Sequence, residues 1–524
     1  MTSSMLNLST SIPWLTILGV VPLVGSVVVL LLPRARETMA KQVALAFSLV
    51  TLVLTVVMAL GFDAASSAPF QFAEKYEWIT SLGISYSVGV DGIGLVLIAL
   101  ATILVPIVML SGWNDVAPGT TGRGTVKGYF ALMLALETCM VGVFAATDVF
   151  LFYVFFEVML IPTFFLIGRF GGAQRAYASV KFLIYSLVGG LLMLAALIGL
   201  YVVSADVLGQ GTFDFMQLVG IDIDPGTEKL LFLGFFIAFA IKAPLWPFHT
   251  WLPDAAREAT PATAVLLIGV LDKVGTFGMI RYLLPIFPSA SQWFAPLVIA
   301  MAVIGIIYGA LVALGQSDMK RLFAYSSMSH FGFIALGIFV FTSQGMSGSV
   351  FYMIAHGLAT AALFIVGGYL MSRRGGSSLI SDYGGVAKVA PILGGFFMFA
   401  ALSALALPAL APFVGEFLVL LGTFERYIVI AVIATIGIVL SAAYALRLYQ
   451  KTMTGPVAPG IDGMKDLGGR EFTSLFPVFA LTLVLGVIPG IALNVINPAV
   501  DRTLTTVGLT DPQPALTGTE GGQP

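Results

Sequence analysis

Six ionisable side chains stand inside long apolar runs of this sequence: Glu137, Glu157, Lys242, Asp272, Lys273 and Glu416. A lone charge at the centre of a bilayer costs about 2.5–3.5 kcal/mol on insertion scales. Such groups must be paired, hydrated or neutral, and each is by default a candidate for function. Carboxylates and amines sharing one apolar interior are the parts of a proton path. Glu157 with Lys242 is the pair best suited to act as a switch. Closed, it holds both charges; opened in a low-dielectric interior, it lets the lysine release its proton. Lys273 is placed to pass protons laterally between two halves of the chain. Glu137 either supports packing or faces an adjacent subunit. His249, His330 and His356 can relay protons, although a neutral histidine held by a neighbouring helix is the plain structural reading. Ser326, Ser327, Ser329 and Tyr325 lie close to His330 in the chain and are suited to holding water.

Two of these charges coincide with interruptions in their apolar runs. In Phe239-Ala-Ile-Lys242-Ala-Pro-Leu-Trp-Pro-Phe-His249-Thr-Trp-Leu-Pro-Asp254, prolines at 244, 247 and 253 follow the lysine. Proline has no N–H, so Pro244 and Pro247 remove the helix bonds to the carbonyls of Ala240 and Ala243. Irregular backbone at membrane depth survives only where protein buries it or water reaches it. A kinked helix whose lysine reaches for the surface is the alternative. Leu407-Pro408-Ala-Leu-Ala-Pro412-Phe-Val-Gly-Glu416 is the second interruption. Pro412 suits the start of a half-helix, and Glu416 is expected near its first turn, where the dipole favours an anion. Lys242 is expected at the C-terminal end of its half-helix, where the dipole favours a cation.

The elements that hold these groups follow from composition. The chain has 524 residues, 58% hydrophobic and only 10% charged. That excludes a soluble globular protein of this size, and apolar runs of about twenty residues exclude barrel strands. The fold expected is an all-α polytopic membrane protein with about fourteen spans. They lie near 12–32, 41–61, 93–110, 128–147, 149–168, 180–203, 230–250, 261–284, 292–313, 321–341, 348–370, 390–421, 426–449 and 473–494. Spans 7 and 12 hold the two interruptions. They are five apart and so run in opposite directions, as two inverted five-helix repeats would require.

The organisation that follows is a three-span N-terminal segment with an outer hairpin loop (1–127), a first repeat (128–284), a second repeat (292–449), a linker with span 14 (450–494) and a flexible outer tail (495–524). Phe70-Gln-Phe and Ile84-Ser-Tyr-Ser-Val alternate like a small hairpin. The connection 204–229 reads as an acidic, solvated loop, and 452–472 as a polar, Gly-rich linker. With the N-terminus outside, most of the 25 basic residues fall on the cytoplasmic side, as the positive-inside rule requires. Both termini are then outside.

Other function classes are excluded. A net charge of -2 gives no nucleic-acid role. Cys139 stands alone, so neither a disulfide nor an iron–sulfur motif is present. Three scattered histidines make no metal site, and no Gly-rich loop offers a nucleotide site. The first apolar run lacks a basic leader and is kept as a span.

Four motifs together resemble a known family over nearly the whole chain. They are Phe156-Glu157-Val-Met-Leu-Ile-Pro162, the Lys242–Asp254 stretch, Arg321-Leu-Phe-Ala-Tyr-Ser-Ser-Met-Ser-His330 and Phe413-Val-Gly-Glu416-Phe. They are similar to the antiporter-like subunits of proton-pumping NADH:quinone oxidoreductase, respiratory complex I. An acidic residue in span 12 resembles the M-type chain, since L-type and N-type chains typically carry lysine there. The chain also ends soon after span 14, without the lateral helix expected of the L-type.

The resemblance implies two inverted repeats in a bacterial inner-membrane subunit. It implies Glu157 and Lys242 as the coupling pair, Lys273 as the central proton carrier and Glu416 in the second half-channel. His249 and His330 match positions along a hydrated polar axis. It implies no cofactor in this chain, with flavin, iron–sulfur clusters, NADH and quinone on partner subunits, and lipids and the L-type and N-type chains as neighbours. Protons would move from the cytoplasm outward. Asp254-Ala255-Ala256 departs from the usual Asp-Ala-His, Ala264 replaces a common serine, and Ala409 and Ala411 replace usual glycines. The last two predict a stiffer second break, because alanine tolerates fewer backbone angles. A subunit of a multisubunit cation/proton antiporter or of an energy-converting hydrogenase is the related alternative. A purely structural membrane scaffold is the other.

Overall fold

The computed structural model describes residues 12–33, 35–116 and 124–511. Arg34, Arg123 and the tail from 512 onward, which carry part of the charge and tail expectations, lie outside the described residues.

The molecule is a helical membrane protein. Helices α1 (Trp14–Leu31), α2 (Glu37–Leu60) and α3 (Gly92–Ser111) come first. Between α2 and α3 an antiparallel hairpin pairs β1 (Gln71–Ile79) with β2 (Ile84–Val90), longer than the alternating residues alone indicated. Then follow α4 (Val126–Ala145), α5 (Val149–Phe170, interrupted at Met159) and α6 (Arg175–Leu208). The broken pair α7 (Pro225–Lys242) and α8 (Trp251–Glu258) leads to α9 (Pro261–Ile286). Next come α10 (Pro288–Leu314), α11 (Met319–Phe339) and α12 (Ser343–Ser372). A second broken pair, α13 (Pro391–Ala404) and α14 (Ala411–Arg426), precedes α15 (Ile428–Met453), α16 (Gly469–Val487) and α17 (Gly490–Val507). Among the described residues, twelve helices are long and apolar enough to cross a membrane. Every one matches an expected span; α7/α8 and α13/α14 occupy the remaining two.

Packing sorts the helices into layers. The apolar windows of α9 and α12 are wholly buried, whereas only 28% of that of α2 and 33% of those of α1 and α15 are buried. Asp272 and Lys273 sit on α9, wholly surrounded by other helices, whereas Glu157 lies half-buried on α5.

Three connections differ from the reading of the sequence. The stretch after α6 is not simply solvated: Phe213, Phe215 and Leu218 are buried, and Asp214 pairs with Lys75 of the hairpin at 2.5 Å. The polar linker before α16 is tied down, with Glu471 pairing Arg373 at 2.5 Å and Asp466 accepting from the amides that begin α13. The chain after 494 is not a flexible tail as far as Val507. Ala492, Ile496, Ala499, Val500, Leu504 and Val507 are buried at three- and four-residue spacing, the pattern of an amphipathic helix. Its end is fixed by Gln292, which donates to the Val507 carbonyl at 3.0 Å, and by Asp511, which accepts from the Ser343 amide at 2.7 Å.

Candidate functional site

The first break is built around Lys242, the last residue of α7. Pro244 leaves the Ala240 carbonyl without its helix donor, and the Leu245 amide reaches back to it at 2.9 Å. The Trp251 indole donates to the Ile241 carbonyl at 2.9 Å. The interruption therefore stays irregular without orphaned carbonyls at these points, as interior backbone must. Gly275 of α9 packs directly on the Phe239 carbonyl and the Ala243 amide, so α9 lies against the break.

Lys242 is 1% exposed. Its Nζ has no protein hydrogen-bond partner and lies 4.7 Å from the ring centre of Phe156 and 5.8 Å from that of Phe182. A cation over aromatic faces is favourable. Glu157 and Lys242 form no direct ion pair here. Glu157 keeps one buried oxygen without a partner, and Phe156 occupies the near side of the amine. The Glu157 carboxyl fills the space that the missing side chain of Gly190 leaves in α6. A methyl group there meets the Glu157 carboxyl, a movable side-chain end, before it meets backbone. Gly190→Ala is therefore expected to leave stability within about 1 kcal/mol of native but to displace the carboxylate. Coupled proton uptake should fall several-fold at unchanged assembly.

The second cluster surrounds Lys273, wholly buried on α9. π-helical turns at Leu267–Leu271 and Met279–Leu283 flank it, a distortion frequent at functional sites. Its Nζ donates to the Ile268 carbonyl at 2.5 Å and bonds His356 Nδ1 at 2.7 Å. His356 Nε2 is 3.2 Å from Thr360 Oγ1, and its ring centre is 5.5 Å from that of His330. His330 Nδ1 lies 2.5 Å from Tyr352 Oη, and its Nε2 3.3 Å from Tyr444 Oη. Ser326, His330, His356, Thr360 and Ser403 enclose a cavity of about 10 Å³, the room of a single water.

Glu416 is buried with neither oxygen partnered by protein, and the neighbouring Gly415 packs on Tyr352. Glu416 is the sixth residue of α14, so it lies in the second turn rather than near the first as expected. Burial, more than the helix dipole, sets its surroundings. At this break Ala406 has φ 58° and Ala409 φ 77°, both left-handed. That conformation costs a non-glycine residue about 1–2 kcal/mol. Ala409→Gly is expected to raise the stability of the purified complex by up to about 1 kcal/mol, after glycine's own entropic cost. Thermal unfolding of the two forms in one detergent checks this. Ala411, by contrast, begins α14 in ordinary helical geometry.

The remaining candidates fall in two places. His249 is buried in the first break, its ring nitrogens without protein partners, 5.3 Å from the Tyr308 ring and 6.3 Å from that of Tyr325. The fourth residue of α8, Asp254, centres a polar junction that the sequence reading missed. Asp254 accepts from Lys181 at 2.7 Å and from Arg321 at 2.9 Å, joining α6, α8 and α11. Glu137 is wholly buried on α4 with no protein partner. It therefore does not face an adjacent subunit, and no group described here links it to the Lys273 cluster. Tyr352, Tyr444 and the bridging place of His356 were also missed. Tyr352 and His356 stand four residues apart on one helix face, the available signal; Tyr444 gave none.

Lysine, histidine and tyrosine groups at hydrogen-bond distances on α9, α11, α12 and α15, between two broken helix pairs that carry a buried lysine and a buried glutamate, fit an antiporter-like membrane protein that moves protons. The comparisons agree. Residues 146–441 match the family described as NADH:quinone oxidoreductase/Mrp antiporter, transmembrane, and the chain belongs to that family. It is 53% identical to NADH-quinone oxidoreductase subunit M of Mycobacterium tuberculosis (strain CDC 1551 / Oshkosh), covering 97% of this chain and 96% of that one. It is 39% identical to subunit M of Rhodobacter capsulatus, covering 93% and 95%. A chain of respiratory complex I from Thermus thermophilus superposes with TM-score 0.84 at 31% identity, covering 94% of this chain and all (100%) of that one. A chain of the Mrp complex from Dietzia sp. DQ12-45-1b shares the fold, with TM-score 0.82 at 20% identity, covering 94% and 99%.

Proposed function

We propose that this chain is the proton-translocating, M-type membrane-arm subunit of a bacterial NADH:quinone oxidoreductase. The observation that carries the reading is the row of buried groups from Glu157 and Lys242 through Lys273, His356 and His330 toward Glu416, in a chain so similar to such subunits over its length. Glu157 and Lys242 act as the coupling pair, Lys273 as the central carrier and Glu416 as the residue of the second half. His249 and His330 serve the hydrated path between them; Glu137 has the weakest case. The breaks at α7/α8 and α13/α14 support two inverted repeats. The chain sits in the inner membrane with both termini outside, beside L-type and N-type chains. Flavin, iron–sulfur clusters, NADH and quinone belong to partner subunits. Quinone reduction there drives protons through this chain from the cytoplasm outward, each charge moving against about 2.3 kcal/mol per 100 mV.

Isolation of the tagged chain from its own membranes in mild detergent tests this. The expected product is an NADH-oxidising complex containing flavin that, in sealed vesicles, takes up protons on NADH addition without needing sodium. Recovery of a flavin-free assembly exchanging sodium for protons would overturn it in favour of the antiporter complex.

A further inference from the structure

We infer that the second half has its own proton-uptake vestibule, with Tyr444 as the group that receives protons from it; the inference rests on the function just proposed. A cavity of about 360 Å³ opens between the ends of α10 and α15. Its mouth carries Gln316, Ser381, Arg447 and Lys451, and its inner wall includes Tyr444 and Leu448. The hydroxyl of Tyr444 lies 3.3 Å from His330 Nε2. Beyond His330 lies the one-water cavity, then His356 and Lys273. The tyrosine thus lines the larger space and touches His330, which borders the smaller one.

The vestibule opens on the same face as the Asp254 junction. Arg321 joins the two, donating through Nη1 to Asp254 at 2.9 Å and through Nε to Gln316 at 3.3 Å.

The step balances without other reactants. With Nδ1 protonated, His330 donates to Tyr352 Oη and leaves Nε2 free to accept. The Tyr444 O–H bond breaks as the His330 Nε2–H bond forms, and a hydronium in the vestibule returns a proton to the phenol oxygen. The phenol ends as it began, and one positive charge has moved onto the imidazole.

The test uses the whole complex in sealed vesicles driven by NADH, with Ser381→Trp to obstruct the mouth, Tyr444→Phe to remove the relaying hydroxyl and Lys242→Ala as reference. Each of the first two is expected to lower coupled proton uptake at least about tenfold at native assembly, and Tyr444→Phe to change the solvent deuterium isotope effect. Ser381→Cys, modified by a bulky thiol reagent after assembly and compared with treated native complex, gives the same block without a folding question; Cys139 is buried. Native uptake in the modified Ser381→Cys complex, or in Tyr444→Phe, overturns the vestibule. If Lys242→Ala meanwhile abolishes uptake, the proposed function stands without it. Native uptake in Lys242→Ala overturns the function itself.

Discussion

Replacing Lys242 with alanine is expected to abolish NADH-driven proton uptake while the complex still assembles. The side chain is buried and its amine makes no protein hydrogen bond, so truncation orphans no partner. It removes a group whose burial is itself costly, and stability should hold or rise. The loss falls on function, to the background of the vesicles, at least about tenfold. Lys242→Arg separates two roles for the charge. Arginine keeps the cation over Phe156 but does not give up its proton in a protein. Uptake should therefore fail in Lys242→Arg as well. Native uptake in that variant would make Lys242 a fixed charge rather than a carrier.

Arg281→Ala is expected to cost the most stability of any single change considered. Arg281 Nη2 donates to Asp91 Oδ1 at 2.5 Å, with side chains 8% and 7% exposed. Its guanidinium also lies 4.8 Å from the Phe70 ring centre and 5.3 Å from that of Phe277. Breaking a buried pair by removing one partner costs about 3–5 kcal/mol, because the other charge stays buried. Asp91 also caps α3 by accepting from the Gly94 amide at 2.9 Å, so the loss spreads from the end of α9 to the hairpin and α3. Thermal unfolding and the yield of assembled complex measure it. The double variant Arg281→Ala/Asp91→Ala should recover part of the loss. A double variant as unstable as the sum of the singles would refute the uncompensated charge as the cause.

The parts of the site legible in the sequence are those whose signal is local. Prolines at 244, 247, 408 and 412 announce both breaks because each removes a donor within its own segment. Glu157, Lys242, Lys273 and Glu416 stand out because a charge inside an apolar run is rare. What was not legible depends on contacts between distant segments. Lys273 and His356 are 83 positions apart, and His330 and Tyr444 are 114 apart; no periodicity encodes such a meeting. The open state of Glu157 and Lys242 likewise depends on how Phe156 and Gly190 pack. The helix α17 was readable in principle, since its apolar spacing is regular. Asn494, Asn497, Pro498 and the many threonines beyond hid it, because those residue types read as loop.

The burial of α9 and α12 has a consequence for where this protein sits. Their apolar windows touch no lipid, whereas α1, α2 and α15 present most of theirs outward. The outer helices therefore act as a sleeve. A thicker or thinner bilayer acts first on that sleeve, through tilt costing fractions of a kcal/mol per Å. The Lys273–His356 contact is screened from such mismatch by a full layer of protein. Conduction should accordingly tolerate changes in acyl-chain length that alter the tilt of the perimeter, and lipids should act on this subunit mainly through its seams with neighbouring chains.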